Sequence, residues 1–180
     1  MRPHYTSIRA LIGLAALSLA QPVNAAGFYI SEIGTPGSLG TAGVANPVNR
    51  LTADSSWTNP AGMTGLQQDE MLAGFQVVVP KIEFDPSVAE AGGSDGGNAG
   101  NIAAIPSFFM VKKLSDRFRV GFSVVAPQGR AMNYGDDFVG RYGAQRVEFA
   151  VIGGSFFIVY KVNDRLSVGA GVSMYSNGSC

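Results

Sequence analysis

Apolar and polar residues alternate with a period of two over most of the chain after residue 70. The pattern is cleanest at 118–126, where Phe118 and Phe122 fall on one face and Arg119 and Ser123 fall on the other. Because successive side chains of a β-strand point to opposite faces, this alternation predicts strands rather than helices. We predict five strands, at 71–79, 104–112, 118–126, 146–162 and 166–174.

Three features are expected to interrupt these strands. The tripeptide Pro127-Gln128-Gly129 should end the third strand, because proline lacks the N–H group that a ladder requires. The apolar face also changes parity twice, once near Pro80 and once at Gly153-Gly154. We expect a β-bulge or bend at both places, since an extra residue would restore a constant apolar face.

The connections between the predicted strands alternate between long and short. Polar, glycine-rich loops at 85–101 and 128–145 alternate with tight turns at 114–117 and 163–165. Outer-membrane barrels show this asymmetry, with short turns on the periplasmic side and long loops outside.

Strand length and face composition favour a membrane protein. Each predicted strand has at least nine residues, whereas a tilted transmembrane strand needs ~9–11 and strands of soluble proteins average ~5–6. One face carries Phe, Val, Leu and Met, which suits lipid, and the other carries Gly, Ser and Arg, which suits a polar lumen. We therefore predict an all-β membrane protein containing part of an antiparallel transmembrane β-barrel. A soluble sandwich is the alternative fold.

Residues 26–66 follow neither the strand nor the helix period. Their composition of Gly, Pro, Ser, Thr, Ala and Asn is compatible with a flexible linker. Single apolar residues such as Leu39, Trp57 and Met63 recur through the segment, however, and favour a packed plug with short helical turns. Both readings are open at this level.

The first 25 residues have the three parts of a secretory signal peptide. Arg2 and Arg9 are followed by an uncharged apolar run at 10–20 and by small residues that end at Ala25. The apolar run is shorter than the ~20 residues that a membrane-spanning helix needs. We expect export, cleavage after Ala25 and a mature chain that begins at Ala26.

The composition removes several classes of function. Without the signal peptide, 11 basic residues face 13 acidic ones, so the net charge of −2 gives no support for nucleic-acid binding. The one histidine, His4, lies in the signal peptide, and the one cysteine is Cys180. A disulfide framework, a His/Cys metal site and a Cys-His or Ser-His nucleophile are therefore excluded within this chain, and we expect neither an enzyme nor a cofactor.

Several motifs, in order, resemble the FadL-type outer-membrane transporters of long-chain fatty acids and other hydrophobic compounds, including TodX-like members. A glycine-rich start is followed by SLGTAGVA at 38–45 and TADSSWTNPAGM at 52–63, and the sequence FVGRYGA lies at 138–144 in the second long loop. The resemblance extends over essentially the whole mature chain. It implies a barrel of about 14 strands, a size within the range of outer-membrane barrels.

The resemblance also implies roles for particular residues. Residues 26–66 would form a helical hatch that plugs the barrel, with Asn59, Pro60 and Ala61 as its signature motif. Ala26, Gly27 and Phe28 would lie near a hydrophobic pocket for fatty acids or aromatic hydrocarbons. The substrate would leave sideways or inward after the hatch rearranges.

Five strands are too few to close a barrel around a plug, since an open edge in lipid leaves backbone groups unpaired. We therefore expect residues 67–180 to be the first part of a larger barrel and the sequence to be an N-terminal fragment.

Other interpretations accompany this one. Asn59-Pro60-Ala61 could be an ordinary turn. Arg141 and Tyr142 could contact a fatty-acid carboxylate or belong to a solvated loop. A structural or adhesive barrel without specific cargo, and a soluble secreted β domain, are the alternative functions.

Overall fold

The computed structural model describes residues 34–88 and 92–179. The predicted signal peptide, the pocket candidates Ala26, Gly27 and Phe28, and Cys180 lie outside the described residues.

The described strands form one antiparallel sheet in which each strand pairs with its neighbours in sequence, in the order β1-β2-β3-β4-β5. All five predicted strands are present. Their bounds are β1 Glu70–Val78, β2 Ala103–Lys113, β3 Phe118–Asn133, β4 Arg146–Lys161 and β5 Ser167–Ser179.

The two faces of the sheet differ as the sequence predicts. One face, here called the inner face, is covered by residues 34–66, and its central positions include Gly121, Ser123 and Ser155. The other, the outer face, exposes large apolar side chains over all five strands. Examples are Met71, Phe75, Met110, Phe122, Phe156, Val172 and Met174. An apolar outer face of this kind suits contact with lipid.

The predicted interruptions are wrong in detail. Strand β3 continues through Pro127 to Asn133, and the bulge lies on β3, where two residues between Val125 and Gln128 face one residue of β4. Proline fits there because a bulged residue does not need to donate to the ladder. The register of β4 is unbroken at Gly153-Gly154, so no bulge exists at that predicted position.

The predicted bulge near Pro80 is also absent, because β1 ends at Val78 with a continuous register against β2. Beyond it the chain runs beside 98–100, where Ala99 N donates to Ile82 O at 2.9 Å.

The two short turns share one construction. Lys113 pairs with Asp116 at 2.9 Å and Lys161 pairs with Asp164 at 2.8 Å, in both cases three residues apart. Each pair lowers the pKa of its aspartate below the ordinary value of 3.8, first through the hydrogen bond from the lysine and then through its positive charge. In outer-membrane barrels such short turns mark the periplasmic end.

Residues 34–66, here called the N-terminal segment, are packed and not a free linker. They contain 3₁₀ turns at Pro36–Thr41, Asn46–Val48 and Pro60–Gly65 and one helical turn, α1, at Ser55–Thr58. Ala53, Met63 and Leu66 form a buried cluster with Phe109, Val111, Val125 and Val159 of the sheet. Within the part of the chain that the structure describes, no helix has the length and apolar character needed to span a membrane.

Candidate functional site

The N-terminal segment packs against the inner face of the sheet at several glycine positions. A Cβ added at Gly153 would lie 2.9 Å from the Trp57 ring, and one added at Gly169 would lie 3.6 Å from Pro60 Cβ. A Cβ at Gly74 would overlap Pro36. At Gly153 and Gly74 the close approach of the segment therefore depends on the absence of a side chain, whereas the separation at Gly169 is an ordinary van der Waals contact.

The interior of the segment is organised by Asp54, which is completely buried. Its carboxylate accepts hydrogen bonds from Gly37 N at 2.8 Å, from Asn49 Nδ2 at 2.7 Å and from the Thr52 hydroxyl. Hydrogen bonds to a charged acceptor are stronger than neutral ones. One carboxylate thus ties together the turns that precede α1.

Asn59, Pro60 and Ala61 lie within the segment, directly after α1. Asn59 is non-helical, with φ −154° and ψ 83°, and Pro60 begins the next 3₁₀ turn. The Asn59 side chain donates to Pro47 O at 2.8 Å, and Asn59 O accepts from Gly62 N at 2.7 Å. The motif therefore connects two parts of the segment, and the turn that it opens reaches the sheet at Thr64, whose hydroxyl lies 2.9 Å from that of Ser167.

A cavity of about 370 Å³ opens on the inner face beside the segment. It is lined by Pro127, Gln128, Phe149, Val151, Tyr175 and Asn177. Ligand pockets typically range from ~300 to 1,000 Å³ and combine apolar walls with a few polar groups. This lining has that composition, with two carboxamides among aromatic and aliphatic groups.

The segment reaches the cavity through Trp57. Its ring meets the ring of Tyr175 edge to face, with centroids 6.2 Å apart. Trp57 stands in α1, two residues before Asn59, so a cavity-lining side chain contacts the helical turn that leads into the Asn59-Pro60-Ala61 motif.

Our sequence reasoning missed the cavity residues, although the sequence contained a signal. Val147, Phe149 and Val151 have the opposite parity to Phe156 and Ile158, which we attributed to a bulge. Since β4 keeps its register, the same parity change means that the inner face itself turns apolar beyond Gly153. That is where the cavity lies.

Arg141 and Tyr142 lie in the loop after β3 and do not line the cavity. The Arg141 Nη1 atom donates to Gly92 O at 2.9 Å and to Phe138 O at 3.0 Å, and its guanidinium lies 4.7 Å from the centre of the Tyr142 ring. Phe138 in turn stacks on Tyr134 and meets Phe84 edge to face. Arg141 thus helps to join the two long loops. Among the described residues, no group of acidic, His and Cys side chains is placed to hold a metal ion.

Comparison with known proteins gives a consistent result. Over residues 16–179 the chain matches the family described as outer membrane protein transport protein (OMPP1/FadL/TodX). Outer membrane protein P1 of Haemophilus influenzae is 24% identical over 180 residues, covering 92% of this chain and 39% of that protein.

Two solved structures are similar. A Pseudomonas aeruginosa FadL homologue is 27% identical with a TM-score of 0.67, covering 84% of this chain and 38% of the homologue. CymD, described as a monoaromatic hydrocarbon channel, is 17% identical with a TM-score of 0.50, covering 84% of this chain and 34% of CymD, and shows the fold alone. The chain thus spans less than two fifths of the length of these relatives.

Proposed function

Since the chain belongs to the outer membrane protein transport family (OMPP1/FadL/TodX), we propose that the protein admits hydrophobic compounds, long-chain fatty acids first among them, through an outer-membrane β-barrel. The described strands would form part of the barrel wall. Residues 26–66 would form the hatch, and residues 1–25 would direct export.

The change in the inner face along the strands carries this proposal. Where the sheet meets the N-terminal segment, its inner face presents glycines and serines, but beside Trp57 it presents Phe149, Val151 and Tyr175 around a cavity. A merely structural barrel has no need of an apolar cavity against its plug. Gln128 and Asn177 can donate hydrogen bonds to a carboxylate, which suits an amphiphile such as a fatty acid.

The motif residues receive roles under this proposal. Asn59, Pro60 and Ala61 would join two parts of the hatch, directly after the turn whose Trp57 reaches the cavity. Ala26, Gly27 and Phe28 would complete the pocket. Arg141 and Tyr142 stabilise the outer loops that a substrate meets first. The protein would act as a channel without catalysis.

The substitution Val151→Asp tests the proposal by placing a carboxylate in the cavity wall. We expect uptake of a radiolabelled long-chain fatty acid to fall at least about tenfold. Entry of the apolar chain would remove water from the new carboxylate, and this desolvation costs more than ~1.4 kcal/mol. Uptake is measured in cells that lack their own fatty-acid transporter and express the protein from its own gene.

Ala144→Asp is the matched control, since it adds the same charge to an exposed loop position that does not line the cavity. Equal uptake by the Val151→Asp and Ala144→Asp proteins, at equal amounts in the outer membrane, would refute a role for the cavity. Toluene uptake measured in parallel tests the choice of substrate. A loss confined to toluene would replace fatty acids by aromatic hydrocarbons.

A further inference from the structure

Arg119 is a buried cation on the inner face of the sheet. Only 3% of its surface is exposed, and in the β-ladders it stands opposite Lys113 on one side and Val159 on the other. Burying a guanidinium is costly unless its donors are satisfied. The groups that accept hydrogen bonds from Arg119 therefore indicate its role.

Those partners are backbone carbonyls. Nε and Nη2 both donate to Leu66 O, at 3.2 and 3.0 Å, while Nη1 donates to Phe118 O at 3.1 Å and to Ser115 O. Among the described ion pairs, none includes Arg119. The planar fork of the guanidinium thus spans from the β2–β3 turn to the last residue of the N-terminal segment.

Leu66 is the point where the segment ends. It caps the 3₁₀ turn Pro60–Gly65 and precedes β1. A second charged contact lies at the same end of the sheet, where the Glu70 carboxylate accepts from Ala53 N at 2.7 Å. Towards the cavity the segment is held by neutral contacts, such as Gly34 N to the Gln76 side chain and the packing of Trp57 over Gly153.

We infer that Arg119 is a positioning residue that latches the hatch at the periplasmic end of the barrel. Charge-assisted bonds fix Leu66 to the wall, whereas the contacts towards the cavity are neutral and can separate at lower cost. The hatch therefore moves about Leu66 and opens first beside the cavity. This inference rests on the proposed hatch function, because a latch has meaning only if the segment closes a pore.

The test compares Arg119→Gln with Arg117→Gln in the protein expressed from its own gene. Arg117 lies two residues earlier, in the exposed β2–β3 turn, and it donates to the Tyr160 hydroxyl at 3.2 Å. The measurement is ion conductance of the purified protein in planar bilayers, together with entry of a bulky hydrophilic antibiotic into cells. We expect Arg119→Gln to raise the open fraction by about tenfold, which corresponds to losing ~1.4 kcal/mol of charge-assisted hydrogen bonding. Arg117→Gln should match the wild type.

Arg119→Lys gives a second variant that retains the buried charge. A lysine lacks the fork and should leak to an intermediate degree. A wild-type conductance in both Arg119 variants would overturn the inference.

A disulfide distinguishes a released hatch from a damaged wall. Thr64 and Ser167 have hydroxyl oxygens 2.9 Å apart, one on the segment and one on β5. In an Arg119→Gln, Cys180→Ser background, oxidised Thr64→Cys/Ser167→Cys should restore low conductance, and reduction should restore the leak. A leak unaffected by the oxidised disulfide would also overturn the latch. Fatty-acid uptake is scored separately. Absent wild-type uptake would refute the proposed function, whereas normal uptake with unchanged conductance would refute only the latch.

Discussion

Replacing Gly65 by alanine should loosen the end of the N-terminal segment without touching the cavity. An added Cβ would lie 2.5 Å from Arg50 O and 2.8 Å from Arg50 Cβ. Ordinary van der Waals contacts begin near 3.4 Å, so the backbone around Arg50 and around Gly65 must separate by several tenths of an ångström. The obstacle is backbone and Cβ, which cannot rotate away. Overpacking of this kind costs ~1–3 kcal/mol.

The expected loss of local stability is measurable by amide hydrogen exchange in the detergent-solubilised protein. A local destabilisation of ~1–3 kcal/mol corresponds to amide exchange faster by about 5- to 150-fold. The increase should be confined to the segment, at amides such as Gly62 and Leu66 that donate within it. Amides in the β3–β4 ladder should keep their wild-type rates.

Gly40→Ala is the matched control, because a Cβ there meets nothing within 4 Å and the position is exposed. It should exchange like the wild type. If Gly65→Ala and Gly40→Ala gave equal exchange rates in the segment, the close approach of Gly65 to Arg50 would not contribute to stability and the steric reasoning would be refuted.

Two further predictions concern charged groups. Asp54→Asn should speed amide hydrogen exchange throughout 34–66 by about 10- to 100-fold. The amide has one acceptor oxygen where the carboxylate has two, so a group that donates to Asp54 loses its acceptor. Asp95→Asn in the exposed first loop should have no effect on 34–66, and a similar result for both would contradict the role of Asp54. The lowered pKa values of Asp116 and Asp164 stabilise the folded state above pH 3.8, and this contribution disappears as the pH falls through the still lower folded pKa values. Thermal unfolding of the wild type and of the Asp116→Asn/Asp164→Asn protein should therefore converge in acid, and a difference that widens on acidification would be inconsistent with these pairs.

The strands and their faces were predictable because their causes are local. Alternate side chains of a strand point to opposite faces, and the two faces of this sheet have different surroundings. The structure places the alternating residues on the predicted faces, as at Phe118, Arg119, Phe122 and Ser123. The short turns at 114–117 and 163–165 are likewise visible in the sequence. Such features require no knowledge of which residues meet across the molecule.

The incorrect predictions concern positions whose conformation is set by tertiary contacts. Pro127 is a strand breaker by propensity, but a bulge opposite β4 accommodates it and β3 continues. Gly153 suggested a β-bulge or bend in β4, whereas its missing side chain makes room for Trp57 and Tyr175. The cavity was missed for the same reason, because an apolar inner face looks like a displaced outer face until the strand register is known.

The contact between Thr64 and Ser167 has a consequence for the order of assembly. It joins residues 103 positions apart, while every strand of the sheet pairs with its sequence neighbour. Local hairpins form before contacts of such separation. The N-terminal segment is therefore the first part of the described chain to be synthesised and the last to dock, since its contacts are complete only when β5 is in place. Until then part of its surface faces solvent, and its background of glycine, serine, threonine and asparagine is compatible with that exposure.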